Sequence, residues 1–300
     1  MGPTASGKTE LAFAIADEFP CEIISVDSVM VYRGLNIGSA KPGVDDLRKY
    51  PHHLVDILEP DQSYSVANFR DDALQLIKDI QAKNKIPLLV GGTMLYFSAL
   101  LRGLSKMPSA DPEIRQKISD EAEKKGWAYV HAELAKVDPQ AAERIHPNDP
   151  QRIQRAMEVY ELTGISISDW HAEPEKFEFP FKALKLALIP ENRAKLHERI
   201  EQRFDQMLEL GFLQEAQGLF HQERLHADLP SMRSVGYRQA WKYFAGEYDA
   251  ATMREKAIIA SRQLAKRQLT WLRSEGALCI IPVEKPDIHD IHQQIQSYLA

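Results

Sequence analysis

Apolar residues recur at helical spacing close to the start of the chain, with Leu11, Phe13, Ile15 and Ala16 inside Lys8 to Phe19. The run "CEIISVDS" then reads as a short strand that closes on the carboxylate of Asp27. A polar, glycine-bearing loop, "YRGLNIGSAKPG", leads to "HHLVDIL", read as a second strand. Phe69, Ala73, Leu76, Ile77 and Ile80 mark a further helix with Ser65 as its N-cap, and "KIPLLVGGT" is a buried strand ending in a glycine turn. Strands alternating with helices predict an α/β fold: a parallel sheet flanked by helices on both faces.

The character changes from about Gly103 to Pro180, where amphipathic helical stretches are separated by "SADP", "VDPQ" and "HPNDPQ" and no strand pattern occurs. Each Asp-Pro is a helix start, the acid capping and the proline in the first turn. "KALKLALI" returns as a strand, and "ENRAKLHERIEQRFDQMLELG" is a helix stopped at Gly211. A long helix through "TMREKAIIASRQLAKRQLTWLR", a strand "ALCIIPV" and a terminal helix follow. The expected organisation is a core from residues 1–103, an all-helical insertion domain at 104–182, and the rest of the core at 183–300.

Cys21 and Cys279 form no CxxC pair, so neither a disulfide framework nor a zinc site is indicated, which suits a reducing cytoplasm. Neither a leader pattern nor an apolar run of about 18 residues is present, so a soluble chain without membrane association is expected. The net charge of −6 argues against general nucleic-acid affinity. Its distribution alters that conclusion: Ser231 to Arg273 holds nine Arg or Lys against three acids, a segment of +6 in a remainder of −12.

Gly2 to Thr9, "GPTASGKT", fits the phosphate-loop pattern. Its glycines let backbone N–H groups converge on phosphate oxygens at a helix N-terminus, Lys8 reaches the outer phosphates, and the Thr9 hydroxyl can ligate Mg²⁺. The residues Gly2, Pro3, Thr4, Ala5, Ser6, Gly7, Lys8 and Thr9 are therefore the candidate phosphate site. A nucleotide-binding kinase or ATPase would need an acid at the end of a neighbouring strand. "PLLVGG" ends in glycine and only "IISVD" offers one, so Asp27 is either a metal-associated acid or a base acting on an incoming nucleophile.

An ordered set of further motifs covers nearly the whole chain: "ISVDSVMVYRGLNIGSAKP", "PHHLVDI", "VGGTMLY", "DPQRIQRAMEVYELTG", "RIEQRFDQML", "SMRSVGYRQAW" and "KRQLTWLR". With the phosphate loop they resemble the tRNA dimethylallyltransferase (tRNA isopentenyltransferase) family, in its bacterial form because no Cys/His spacing for a zinc finger follows. The resemblance implies transfer of a dimethylallyl group from dimethylallyl diphosphate to N6 of the adenosine 3′ to the anticodon of a tRNA, with diphosphate leaving. It implies catalytic roles for Asp27, Thr9 and Arg203, the last in "RIEQRF", and a tRNA contact for Thr93. Local sequence also allows Arg203 a solvated place on its helix, Thr93 a helix cap, and His52 and His53 a packing role at a strand end.

Candidate tRNA contacts are Asp27, Ser28, Val29 and Met30, Arg115, and the "QRIQR" residues Gln151, Arg152, Ile153, Gln154 and Arg155, whose charged and amide donors suit reading splayed bases. Arg233, Ser234, Val235, Gly236, Tyr237 and Arg238 of "RSVGYR" are further candidates, as are Lys266, Arg267 and Arg273 of the last motif, whose helix taken alone also reads as an ordinary amphipathic element with a solvated basic face. The target base must leave its stack to react, and loop bases are the cheapest to extrude. A monomer holding an anticodon stem-loop between the insertion and the basic C-terminal part is expected. Two departures stand out: Met30 occupies a position where many members carry glutamine, and the strand that ordinarily precedes such a loop is missing, which would leave its neighbours with unpaired edges. A small-molecule kinase and a non-catalytic RNA-binding protein are the alternatives.

Overall fold

A computed structural model describes residues 1–105, 107–172 and 177–300. They form two compact units, Met1–Leu100 with Pro180–Ala300, and Leu101–Phe179. Along the first segment run α1 (Lys8–Glu18), β1 (Cys21–Val26), α2 (Val44–Lys49), β2 (His52–His53), α3 (Val66–Ala82), β3 (Ile86–Gly91) and α4 (Met94–Arg102). The second unit is helical: α5 (Pro112–Lys125), α6 (Trp127–Val137), α7 (Pro139–Arg144), α8 (Pro150–Thr163) and α9 (Ile167–Ala172). The chain then returns through β4 (Leu186–Ile189), α10 (Arg193–Glu209), α11 (Phe212–Phe220), α12 (Tyr237–Phe244), α13 (Ala250–Ser274), β5 (Cys279–Pro282) and α14 (Ile288–Leu299).

All strand pairing is parallel, in the orders β2-β1-β3 and β4-β5. Helix α1 covers both sheets, since Leu11 and Ile15 pack with Leu188 and Ile281 while Ala12 packs with Ile23 and Tyr50. No ladder joins β3 to β4 among the described residues. In that place the Met1 amino group donates to the Leu186 carbonyl at 2.8 Å and the Leu188 N–H donates to the Met1 carbonyl at 2.9 Å, the bonding of a single parallel bridge. The unpaired edge shows in burial: Ile23, Ile24 and Val26 of β1 are buried, whereas Leu88, Leu89 and Val90 of β3 are only half-buried.

The strand expected over "HHLVDIL" stops after His53. Leu54 and Asp56 adopt left-handed backbone, with φ of 61° and 55°, and the extended ladder cannot continue through them. The bend is held by Asp56, whose carboxylate meets Lys41 at 2.5 Å. Both histidines are engaged at the strand end: His52 donates to the Tyr50 carbonyl at 2.6 Å and His53 to Glu22 at 2.8 Å. Lys85, His53 and Lys83 hold the buried Glu22 carboxyl down to about 2 against the cost of its burial.

In the helical unit the three Asp-Pro starts behave as expected, with Asp111, Asp138 and Asp149 each accepting a backbone N–H from the first turn of α5, α7 and α8. Beneath them lies a carboxylate that hydrophobic patterning hides. Glu158 of α8 has a fully buried side chain and accepts from the Asp111 N–H at 2.8 Å, Arg115 at 2.8 Å and Arg155 at 2.6 Å. Burial alone would raise its pKa, but the two guanidiniums and the N–H outweigh it and keep the carboxyl below its ordinary range. Glu158→Gln leaves both cations without an anion and should destabilise this unit by ~2–3 kcal/mol, less than a fully buried pair because both guanidiniums keep some access to water. The wild-type advantage is present above ordinary glutamate pKa and fades as pH falls through the depressed one, so urea unfolding at neutral and acidic pH should show the gap narrowing in acid.

Candidate active site

The phosphate loop takes its shape from backbone geometry. Ala5 and Gly7 lie at φ of 60° and 81°, and α1 begins at once after them. The first backbone bond of α1 runs from the Leu11 N–H to the Gly7 carbonyl, so the N–H groups of Lys8, Thr9 and Glu10 have no partner within the helix. Gly2 is needed on packing grounds, because a Cβ there would lie 2.7 Å from the Ser6 hydroxyl. That buried hydroxyl has no hydrogen-bond partner among the described residues.

The loop opens onto a cavity of about 1090 Å³. Thr4 to Thr9, Asp27 and Arg203 form its polar side, and Met30, Phe204, Met207, Leu210 and Leu264 are among its apolar lining. Lys8 donates to the Pro3 carbonyl at 2.5 Å and makes no ion pair among the described residues. Burial first, and then the Arg203 guanidinium, depress its ammonium to about 8, with Asp27 acting in the opposite sense. Arg203 is itself lowered by burial and drawn back by Asp27 and Glu10. The two acids nearest to it on α10 are engaged elsewhere: Asp205 pairs with Arg254 at 2.6 Å, and Glu201 pairs with Arg254 at 3.0 Å and Arg262 at 2.8 Å. Arg203 is thus not a solvated helix residue; it faces the cavity with no ion-pair partner among the described residues.

Asp27 stands at the end of β1, where its Oδ1 accepts the Val29 N–H at 2.8 Å and the Met30 N–H at 3.3 Å. These bonds fix the carboxyl plane and leave Oδ2 uncommitted among the described residues. Beside it, Thr93 accepts the Ser28 N–H at 3.1 Å through its hydroxyl. The Gly91 preceding this turn is obligatory, since a Cβ would lie 2.0 Å from the Val26 carbonyl oxygen. Met30 presents a thioether, which faces the Ser25 hydroxyl at 3.8 Å, so the amide expected of a glutamine is replaced by a soft apolar group.

The remaining candidates divide sharply. Tyr237 was expected at a tRNA surface but is 2% exposed, its ring against Phe212 and its hydroxyl on Glu215 at 2.5 Å. Gly236 supplies the φ of 92° that starts α12, and Val235 lines the cavity. Ser234 is turned onto the Ser231 carbonyl at 2.6 Å, while Arg233 and Arg238 are exposed. In the helical unit Ile153 is fully buried, Arg115 and Arg155 are clamped on Glu158, and Gln154 bonds the Arg115 carbonyl and Ser119. Those four serve their own unit's packing, which leaves Gln151 and Arg152 on the exposed side. Lys266, Arg267 and Arg273 lie on the exposed face of α13 with Trp271, and no ion pair among the described residues engages the three cations.

Sequence reasoning overlooked three residues that shape the cavity wall. Glu215 accepts from three consecutive N–H groups, those of Asn36, Ile37 and Gly38, at 2.8 to 3.1 Å. Lys41 ties the same loop to the Tyr32 carbonyl at 2.9 Å and to Asp56. Gln268 joins the phosphate loop to the glycine turn. Lys41 lies in the "YRGLNIGSAKPG" loop and Gln268 in "KRQLTWLR", but neither pattern marks them as structural ties, and Glu215 carries no local signal.

A phosphate loop at the head of a helix, an acid at the adjoining strand end and an arginine without an ion-pair partner among the described residues meet on one cavity of a P-loop-type fold. The family model described as IPP transferase matches residues 30–275, and the chain belongs to that family. It is 56% identical over 299 residues to the tRNA dimethylallyltransferase of Thioalkalivibrio sulfidiphilus, covering 100% of this chain and 93% of the relative. The enzyme of the same name from Stenotrophomonas maltophilia is 58% identical over 280 residues, with 92% and 88% covered. The crystal structure of the full-length tRNA isopentenylpyrophosphate transferase from Bacillus halodurans is similar at TM-score 0.72 and 35% identity, covering 99% of this chain and 94% of that one. A eukaryotic dimethylallyltransferase, captured acting on tRNA, superposes at TM-score 0.78 and 27% identity over 96% of this chain and 73% of its own.

Because Lys8 carries its proton only below about 8, binding an organic diphosphate, which raises that value, takes up a proton at higher pH. Affinity should fall above pH 8 by up to about tenfold per unit, and Lys8→Arg should flatten the profile. Calorimetry in two buffers of different ionisation enthalpy reads the proton uptake directly; no uptake at pH 9 would contradict the assignment.

Proposed function

We propose that this chain transfers a dimethylallyl group from dimethylallyl diphosphate to N6 of the adenosine 3′ to the anticodon of tRNA. The observation that carries the reading is the shared cavity: two cations without carboxylate partners and a carboxylate with one oxygen free among the described residues, beside an apolar wall. Loop N–H groups, Lys8 and Arg203 take the charge of the diphosphate as the allylic C–O bond breaks and its electron pair departs with the leaving group. The N6 lone pair forms the new C–N bond, and Asp27 Oδ2 receives the amine proton. Met207 and Leu264, with Leu210 at the exposed rim, give the same cavity an apolar side that suits an isoprenoid tail.

Mg²⁺ fits as a partner of the substrate rather than of a protein cage: no group of three or more His, Cys, Asp or Glu that could hold a metal occurs among the described residues. Thr9 is the residue that would hold it, together with phosphate oxygens and water, and the ion would add charge neutralisation on the leaving group. For tRNA, the free basic face of α13 supplies phosphate contacts, Trp271 a stacking surface, and Arg152 an additional cation on the helical unit. No helix among the described residues is long and apolar enough to cross a membrane, in keeping with a tRNA-directed enzyme of the cytoplasm.

Labelled dimethylallyl diphosphate should enter unmodified tRNA with adenosine after its anticodon, in the presence of Mg²⁺. Asp27→Asn keeps the Oδ1 acceptor and should lower transfer by about 10²–10⁴-fold with tRNA affinity intact. Retained transfer would remove Asp27 as the base, and consumption of labelled ATP in place of transfer would favour a kinase. Removing Lys266, Arg267 or Arg273 should each lower the salt dependence of log K for tRNA by roughly one unit of slope, checked by filter binding across salt concentrations.

A further inference from the structure

Helix α13 directs Lys266 and Arg267 outward and the next residue, Gln268, inward. Gln268 is 7% exposed and spends both ends of its amide: Oε1 accepts the Thr4 N–H at 2.8 Å and Nε2 donates to the Gly92 carbonyl at 2.9 Å. The fit is close, because a Cβ on Gly92 would lie 2.4 Å from that nitrogen. Beyond Gly92 comes Thr93, whose hydroxyl holds the Ser28 N–H next to Asp27. A continuous chain of bonds therefore runs from the phosphate loop through Gln268 and the glycine turn to the segment that carries the acid.

We infer that Gln268 is a positioning residue that sets the spacing between the diphosphate cradle and the Asp27 carboxylate, with the tRNA-facing helix as its rigid mount. Its kinetic consequence rests on the prenyl-transfer reading. An amide is required because one partner is a donor and the other an acceptor. Methionine offers neither bond. An ionised glutamate keeps the Thr4 bond but sets an anionic oxygen against the Gly92 carbonyl, whereas a protonated glutamic acid restores both. A displacement of about 1 Å between reacting groups costs on the order of 100-fold in rate.

The test compares wild type, Gln268→Glu and Gln268→Met for thermal midpoint, tRNA affinity, affinity for an organic diphosphate, and kcat between pH 5.5 and 8.5. At the alkaline end both variants should lose about 10–100-fold in kcat and about tenfold in diphosphate affinity, with tRNA affinity within about twofold of wild type. Lowering the pH should close the deficit for Gln268→Glu and leave it open for Gln268→Met, a contrast that loss of packing alone does not produce. Wild-type kcat and diphosphate affinity in either variant at alkaline pH, equal deficits at every pH, or a loss confined to tRNA binding would each overturn the inference. Should wild type transfer no prenyl group, the prenyl-transfer reading fails by itself, and the pH-dependent recovery of diphosphate affinity still decides the role of Gln268.

Discussion

Two half-buried cations that line one cavity, with no ion-pair partner among the described residues, are the constraint around which the first unit is arranged. Lys8 and Arg203 share one cavity, each pushed toward its neutral form by burial, and Lys8 further by the charge of Arg203. Among the described residues neither one has a carboxylate partner. The acids on the same helical turns of α10 are bound to Arg254 and Arg262 on α13, which locks α10 against α13 and holds Arg203 toward the loop. A charge partly withdrawn from water without a partner is costly, so the site gains stability when an anion occupies it. A polyvalent anion such as a diphosphate relieves both cations at once.

The walls of the cavity depend on polar residues that work as scaffolding. The "NIGSAKP" loop has few backbone bonds to a sheet, and its N–H groups would be orphaned without Glu215, which gathers three of them and also receives Tyr237. Lys41 performs the converse service for carbonyl oxygens, and its ammonium is balanced by Asp56 in the left-handed bend that ends β2. These contacts explain how a loop forms a rigid wall, and why the expected strand was cut to two residues: the same bend that forbids further extension brings Asp56 to Lys41.

How far the sequence could be read follows from the range of the forces involved. Helix starts at Asp111, Asp138 and Asp149 were legible because the cap and the proline act within a few residues. The phosphate loop and the acid at the end of β1 were legible for the same reason. The tRNA candidates were harder, because sequence shows that a residue is basic or aromatic and not which partner takes it. Arg115, Arg155 and Tyr237 look like recognition residues on charge and type; in the fold they belong to Glu158 and Glu215, glutamates 43, 3 and 22 positions away respectively. Neither glutamate breaks the local pattern enough to announce that it is buried.

The contrast between these arginines and those of α13 indicates where binding energy for a nucleic acid is available. A guanidinium already bridging a buried carboxylate must lose charge-assisted bonds to meet a phosphate, so it offers little net gain. Lys266, Arg267 and Arg273 have no ion pair to surrender among the described residues, and Trp271 beside them is 40% exposed. In an acidic chain such a face is set apart by the absence of competing carboxylates more than by the number of its positive charges. The inward side of the same helix contributes Gln268 to the phosphate loop. On the proposed reading one rigid element presents its outward face to the polynucleotide and steadies the phosphate loop from its inward face.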